Sequence, residues 1–71
     1  MGQYESRIAA SLKVGDRLEM DTSEGRVPFK VLSTFKFGTT YIKLNVECES
    51  NGIVSSVNVA PGQKFFVIIA E

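Results

Sequence analysis

The segment Tyr41–Cys48 alternates strictly between apolar and polar side chains, and this alternation is the strongest constraint on the fold. Its apolar members are Ile42, Leu44, Val46 and Cys48. A period of two places these side chains on one face of a β-strand, whereas a helix would spread them around its axis. Turn signals flank the segment, with Gly38-Thr39 before it and Asn51-Gly52 after it. The sequence therefore predicts a three-stranded antiparallel meander over residues 27–60.

A two-residue type II′ turn at Gly38-Thr39 would set the register of the first hairpin, because that turn favours glycine at its first central position. The predicted partners are Phe35 with Ile42, Ser33 with Leu44, Val31 with Val46, and Phe29 with Cys48. Apolar side chains then meet apolar side chains everywhere except at Ser33.

A type I′ turn at Asn51-Gly52 sets the register of the second hairpin independently. It is predicted to pair Cys48 with Ser55, Val46 with Val57, and Leu44 with Val59. A slip of one residue would turn a whole hydrophobic set to the wrong face. The two turns agree on one buried face, and this agreement supports the meander.

The remaining elements are predicted from shorter patterns. Tyr4, Ile8 and Leu12 recur every four residues, which predicts a short helix over residues 3–12 that covers an open end of the sheet. A first strand is expected at residues 16–21. The segment Ala60-Pro61-Gly62 ends the meander, and a last strand follows at residues 63–69. Because that strand is apolar in both phases, we expect it to be covered on both sides.

These elements predict an all-β fold with one domain over residues 1–71 and five strands within residues 16–70. Their order resembles that of small SH3-like barrels, in which a tight hairpin joins the third and fourth strands and a short 3₁₀ turn precedes the fifth. Here Asn51-Gly52 and Ala60-Pro61-Gly62 hold those places. An OB-like barrel is the alternative strand arrangement.

Composition limits the partners and cofactors of the chain. The 71 residues include one cysteine and no histidine, so neither an intrachain disulfide nor a zinc site is expected, and no cofactor is predicted. Eight basic and eight acidic residues give a net charge of zero, which argues against a global attraction to nucleic acid or membrane. A cytoplasmic location is expected. The pattern Met1-Gly2-x-x-x-Ser6 has the form of an N-myristoylation signal, but it constrains only two positions after the methionine and is interpreted as a chance match.

The sequence offers few groups for catalysis, and no enzymatic activity is predicted. There is no histidine to act as a general base. Cys48 has an inward phase, where burial is expected to raise the pKa of its thiol and lower its reactivity. Glu47 and Glu49 are neighbours on the outward face and are interpreted as solvated side chains.

Two surfaces are candidates for binding. The first is the apolar strand Phe65, Phe66, Val67, Ile68 and Ile69, which favours a protein partner or self-association. A small binding or adaptor module that acts through this strand and a sheet edge is the leading functional hypothesis. Self-association would also support a chain that buries only about 60% of its unfolded surface.

The second candidate is the outer face of the meander, and it supports an alternative hypothesis of nucleic-acid binding. Its predicted members are Lys30, Lys36, Tyr41, Lys43, Asn45 and Asn58. Lysines can contact phosphates and an aromatic ring can stack on a base. The competing interpretation is an ordinary solvated face with a cross-strand Lys30–Glu47 pair, and a single aromatic ring makes a poor stacking platform.

Overall fold

The computed structural model describes residues 3–70, which form six β-strands and one 3₁₀ turn. The strands are β1 (Gln3–Ile8), β2 (Arg17–Thr22), β3 (Gly25–Phe37), β4 (Tyr41–Cys48), β5 (Val54–Val59) and β6 (Lys64–Ala70), and the 3₁₀ turn is Ala9–Ser11. All pairings are antiparallel, and the strands form one sheet in the order β1-β6-β2-β3-β4-β5. The predicted all-β class is confirmed. The Met1-Gly2 pattern lies outside the described residues.

The predicted meander is present as β3, β4 and β5, and β4 supplies the centre of the core. Ile42, Leu44 and Val46 are completely buried, and Cys48 is nearly so. The intervening polar residues of β4 are half-buried on the opposite, outer face. The core face is completed by Ala9, Leu12, Leu18, Val31, Val59, Phe65 and Val67.

The register of the first hairpin differs from the prediction close to the turn. The amide of Thr40 donates to the carbonyl of Phe37 at 3.2 Å, so Gly38-Thr39 does form a tight turn. However, Phe37 pairs with Tyr41, which leaves Thr40 as an additional loop residue. As a result, Phe35 lies opposite Lys43 instead of Ile42.

A β-bulge restores the predicted register farther along the hairpin. Leu32 is the additional residue, since pairing passes from Val31–Val46 directly to Ser33–Asn45. The Phe29–Cys48 and Val31–Val46 pairs are as predicted. Because side chains alternate along a strand, the bulge reverses the faces of every residue between it and the turn.

The second hairpin is displaced by two residues from the predicted register. Val46 pairs with Ser55, and Leu44 pairs with Val57. The loop spans residues 49–52 and is closed by the amide of Gly52, which donates to the carbonyl of Cys48 at 2.7 Å. A displacement of two residues keeps each side chain on its face. The predicted buried face is therefore correct although the partners are not.

The predicted helix over residues 3–12 is wrong, because residues 3–8 form β1. A spacing of four residues is twice the strand period, so Tyr4 and Ile8 also share one face of a strand. The β1 backbone bonds to β6, and the following 3₁₀ turn is held by the Ala9 amide, which donates to the Gln63 carbonyl at 2.8 Å. Of the three residues predicted to form one face of the helix, Tyr4, Ile8 and Leu12, only Leu12 enters the core.

The five-stranded barrel is corrected to a six-stranded open sheet. Strand β1 lies at one edge and β5 at the other, and these two strands do not pair in the part of the chain that the structure describes. Neither the SH3-like barrel nor the OB-like alternative is confirmed. Strand β6 lies between β1 and β2 within the sheet, so its neighbours cover its edges and not both its faces.

Candidate functional site

The predicted protein interface in β6 is divided between the two faces of the sheet. Phe65 and Val67 are buried in the core, whereas Phe66 is 52% exposed on the outer face. Ile68 is half-buried and Ile69 is exposed. The guanidinium of Arg26 lies 5.9 Å from the centre of the Phe66 ring. This cation–π contact covers part of the outward-facing ring.

The residues predicted for a nucleic-acid face are brought together in part. Lys30 lies opposite Glu47 as predicted, although no ion pair joins them within the described residues, and Lys43 lies opposite Asn58. Lys36 is exposed but sits opposite Ile42, on the other face from Lys43. The reversal beyond the Leu32 bulge is the reason for this difference.

The same reversal places Phe35 and Phe37 on the outer face, whereas the predicted register places both rings in the core. Phe35 is 52% exposed and Phe37 is 45% exposed. Phe37 stacks on Tyr41 with ring centroids 4.8 Å apart and planes 13° apart. The signal was Ser33, the one polar residue in the predicted apolar set. We define the aromatic face as Phe35, Phe37, Tyr41, Lys43, Asn45 and Asn58.

A chain of side-chain hydrogen bonds crosses the outer face beside these aromatic rings. The amide of Asn45 donates to the hydroxyl of Ser33 at 2.7 Å, and the hydroxyl of Ser56 donates to the amide oxygen of Asn45. These three residues connect β3, β4 and β5. Asn45 keeps one amide hydrogen outside this chain, because its amino group has two donors.

Charges are unevenly distributed over the sheet. Residues 31–46 and 53–60 contain two basic residues, Lys36 and Lys43, and no acidic residue. The rest of the chain carries the other six basic and all eight acidic residues. The zero net charge therefore conceals a charge of +2 on these two segments and of −2 on the rest of the chain, and local charge distribution governs the encounter with a charged ligand.

Arginines and lysines also differ in their contacts. Each arginine forms an ion pair: Arg7 with Glu5 and Asp16, Arg17 with Glu49, and Arg26 with Asp21. None of the lysines within residues 3–70 forms one; they are Lys13, Lys30, Lys36, Lys43 and Lys64. The charge on Lys43 is therefore not neutralised by a bonded carboxylate and is available to an anionic ligand.

The carboxylates contact structural partners: Glu5 and Asp16 share Arg7, and Glu19 and Asp21 share Arg26. Glu19 accepts a hydrogen bond from the Tyr4 hydroxyl at 2.8 Å, and Asp16 accepts one from the backbone amide of Lys13 at 2.9 Å. Glu49 accepts two from Arg17. Among residues 3–70 no group of three histidine, cysteine, aspartate or glutamate side chains is placed to hold a metal ion.

Cys48 lines a cavity of about 220 Å³ between the β2–β3 turn and the loop after β4. Apolar side chains of Val27, Phe29 and Ile53 contribute to its wall. The predicted burial of Cys48 is correct, but the predicted rise in its pKa is wrong. A hydrogen bond with the Ser50 hydroxyl, 3.1 Å from the sulfur, lowers the pKa of the Cys48 thiol and outweighs the opposing effect of burial.

The two edges of the sheet differ in how they are protected. Strand β1 carries Glu5 and Arg7, and charges on an edge strand discourage pairing with another sheet. Residues 53–60 at the β5 edge contain no charged residue, and Ile53 and Val54 are more than half exposed. Strand β5 is therefore an edge that lacks the usual protection against pairing.

Comparison with known proteins gives no family for this chain. No protein-family model, no curated protein and no solved structure matches it. The structure contains no helix within residues 3–70 of the length and apolarity that a membrane span requires.

Proposed function

We propose that this chain is a small, non-enzymatic binding module of the cytoplasm that acts through protein–protein contact, including contact between its own copies. The uncharged edge strand β5 is the observation that carries this proposal. An unprotected edge presents unpaired backbone donors and acceptors to another strand. Lack of enzymatic activity is supported by the carboxylates of Asp16, Glu19 and Glu49, each of which already accepts a hydrogen bond from a structural partner.

The hydrogen-bond pattern of β5 indicates which backbone groups would form the contact. The amide of Cys48 donates to the carbonyl of Ile53 at 2.9 Å. Bonded pairs recur every second residue in an antiparallel ladder, so odd-numbered residues of β5 bond to β4. The amides and carbonyls of Val54, Ser56 and Asn58 therefore point away from the sheet.

Antiparallel pairing of two copies is the simplest use of this edge. A two-fold axis at Ser56 would bond Ser56 to its own counterpart and Val54 to Asn58 of the second copy. The two six-stranded sheets would then form one continuous sheet. Such a contact would also cover Val54, which is 57% exposed in the single chain.

The test is the molar mass measured by multi-angle light scattering over a wide range of protein concentration. We expect the native chain to form a dimer and Val54→Lys to remain monomeric, because a charge at the edge opposes strand pairing. Ile8→Lys is the matched control: it places the same charge on an exposed aliphatic residue of the other edge strand. A native chain that stays monomeric, or a dimer that Val54→Lys leaves intact, would contradict pairing through β5.

A further inference from the structure

The outer face near the β3–β4 loop has an arrangement that folding alone does not favour. The register predicted from a two-residue turn would bury Phe35 and Phe37, yet the Leu32 bulge turns both rings toward solvent. Thr34 takes the inward position opposite Leu44. Departures from hydrophobic patterning concentrate at functional sites, where another requirement outweighs burial.

The rings are arranged as a platform for flat ligands. Phe35 and Phe37 are two residues apart on one face of β3, a separation of roughly 7 Å along the strand. Phe37 is already held by its stack on Tyr41, so its orientation is fixed before any ligand binds. Aromatic side chains on a sheet surface stack the bases of single-stranded nucleic acid, two or three at a time in the best-known sheet of this kind.

The charges beside the platform fit a polyanion. Lys43 lies directly opposite Phe35 and is free of ion pairs, and the segments around it contain no acidic residue. Asn58 lies on the other side of Lys43 and is exposed. A lysine can contact a phosphate and an amide can bond to a base edge, so the aromatic face combines the three kinds of contact that single strands use.

From these observations we propose that the aromatic face binds single-stranded nucleic acid, with bases stacked on Phe35 and Phe37 and a backbone phosphate at Lys43. This site shares Asn58 with the β5 edge of the proposed function, but it uses the side chain of Asn58 and not its backbone groups, and it does not depend on self-association. The unpaired Lys43 in a segment without acidic residues favours an anionic ligand, and the exposed rings favour one that also carries flat groups; single-stranded nucleic acid combines both.

The test is fluorescence anisotropy of a labelled oligothymidylate and a labelled oligouridylate at low salt, with inorganic polyphosphate as a competitor that has charge but no bases. We expect both oligonucleotides to bind and polyphosphate to compete poorly. One or two phosphate contacts should give a slope of about −0.7 to −1.4 in log affinity against log salt. Loss of one stacked base in Phe35→Ala should weaken binding by about 5- to 150-fold.

Matched variants separate the proposed site from nonspecific attraction. Phe66→Ala removes an aromatic ring of the same exposure as Phe35 from a distant part of the outer face, and it should leave affinity unchanged. Lys43→Glu should weaken binding, whereas Lys64→Glu, the same charge change on β6, should have a much smaller effect. Circular dichroism should show each variant folded, because the substituted side chains lie at the surface.

Three outcomes would overturn the proposal. One is no anisotropy change at low salt. Another is competition by polyphosphate as strong as that by unlabelled oligonucleotide, together with unchanged affinity in Phe35→Ala. The third is an equal loss in Phe35→Ala and Phe66→Ala. If Phe35→Ala instead lowered the molar mass of the native assembly and no oligonucleotide bound, the face would belong to a protein contact.

Discussion

Arg17 and Glu49 form a two-pronged ion pair that joins β2 to the loop after β4 across the intervening strand β3. Arg17 Nε lies 2.7 Å from Glu49 Oε2, and Arg17 Nη2 lies 2.8 Å from Glu49 Oε1. The two residues are 32 positions apart in the sequence. The pair therefore fastens a long-range contact between β2 and the loop after β4.

This ion pair predicts a pH-dependent contribution to stability. The hydrogen bonds from Arg17 lower the pKa of Glu49, against a smaller opposing effect of burial. Because the pKa is lower in the folded than in the unfolded chain, the stabilisation is fully present above the unfolded value and is lost as pH falls through the folded value. Glu49→Gln should lower the free energy of unfolding by about 0.2–1 kcal/mol at neutral pH.

Urea unfolding of the native chain and Glu49→Gln at pH 7 and at a pH below the folded pKa of Glu49 measures the effect. The difference between the two proteins should nearly disappear at the lower pH. Glu24→Gln, which removes a charge from the β2–β3 turn, should cause little change at either pH. An equal effect of Glu49→Gln at both pH values would show that the ion pair is not its source.

A second prediction compares a buried leucine of the meander with a partly exposed one. Leu44 is completely buried, whereas Leu32 occupies the bulge and is 37% exposed. Leu44→Ala removes core contacts and leaves a cavity, so it should lower the free energy of unfolding by about 2–5 kcal/mol. That is a large part of the roughly 4–11 kcal/mol expected of a chain of this length.

Leu32→Ala is the control, because it deletes the same atoms from a position with few core contacts. It should change the free energy of unfolding by only about 0.5 kcal/mol. Urea unfolding followed by circular dichroism measures both variants. Similar losses in the two variants would contradict the observed register of β3 and β4.

The alternation in Tyr41–Cys48 was enough to predict the buried face, but not the strand partners on either side. Hydrophobic patterning reports only which face a residue occupies, so it cannot distinguish registers that differ by two residues, as at the second hairpin. A related ambiguity explains why the pattern of residues 3–12 wrongly predicts a helix. Tyr4 and Ile8 are four positions apart, and this spacing fits one face of a helix or of a strand.

The aromatic face could be predicted only in part. The outward orientation of four members follows from the alternation along β4 and β5, which is the same in the predicted and observed registers. These members are Tyr41, Lys43, Asn45 and Asn58. The orientations of Phe35 and Phe37 depend on the Leu32 bulge, and a bulge has no signature in apolar periodicity. Ser33 was the available clue. Its hydroxyl had no partner in the predicted core position, whereas on the outer face it accepts a hydrogen bond from Asn45.

A third prediction concerns the glycine that closes the loop after β4. Gly52 has φ of 74°, in the left-handed region that disfavours other residues, and no atom lies within 4 Å of the position a Cβ would occupy. Gly52→Ala should therefore lose stability through backbone strain and not through a clash, by about 1–2 kcal/mol.

Gly62→Ala provides the matched control for this strain. Gly62 also has free space at its Cβ position, but its φ is not positive. Its substitution should leave stability unchanged or slightly raised, because alanine restricts the unfolded chain. The midpoints of urea denaturation measure the stability of both variants. A loss of stability in Gly62→Ala as large as that in Gly52→Ala would argue against strain at Gly52.

The fourth prediction concerns the reactivity of Cys48. Cys48 is 7% exposed and lines the cavity, and the contact with the Ser50 hydroxyl stabilises its thiolate. The lowered pKa of Cys48 means that the thiolate forms at lower pH in the folded than in the unfolded chain. Because the thiolate is the nucleophile, the pH dependence of alkylation reports this difference.

Alkylation of the folded chain by iodoacetamide, followed by mass spectrometry over a range of pH, should therefore reach half of its maximal rate at a lower pH than alkylation in urea. Ser50→Ala removes the hydroxyl that makes the largest contribution to lowering the pKa of Cys48, and it should shift this midpoint upward. Ser55→Ala is the control, because Ser55 lines the same cavity without contacting the sulfur. An unchanged midpoint in Ser50→Ala would mean that the hydroxyl does not stabilise the thiolate.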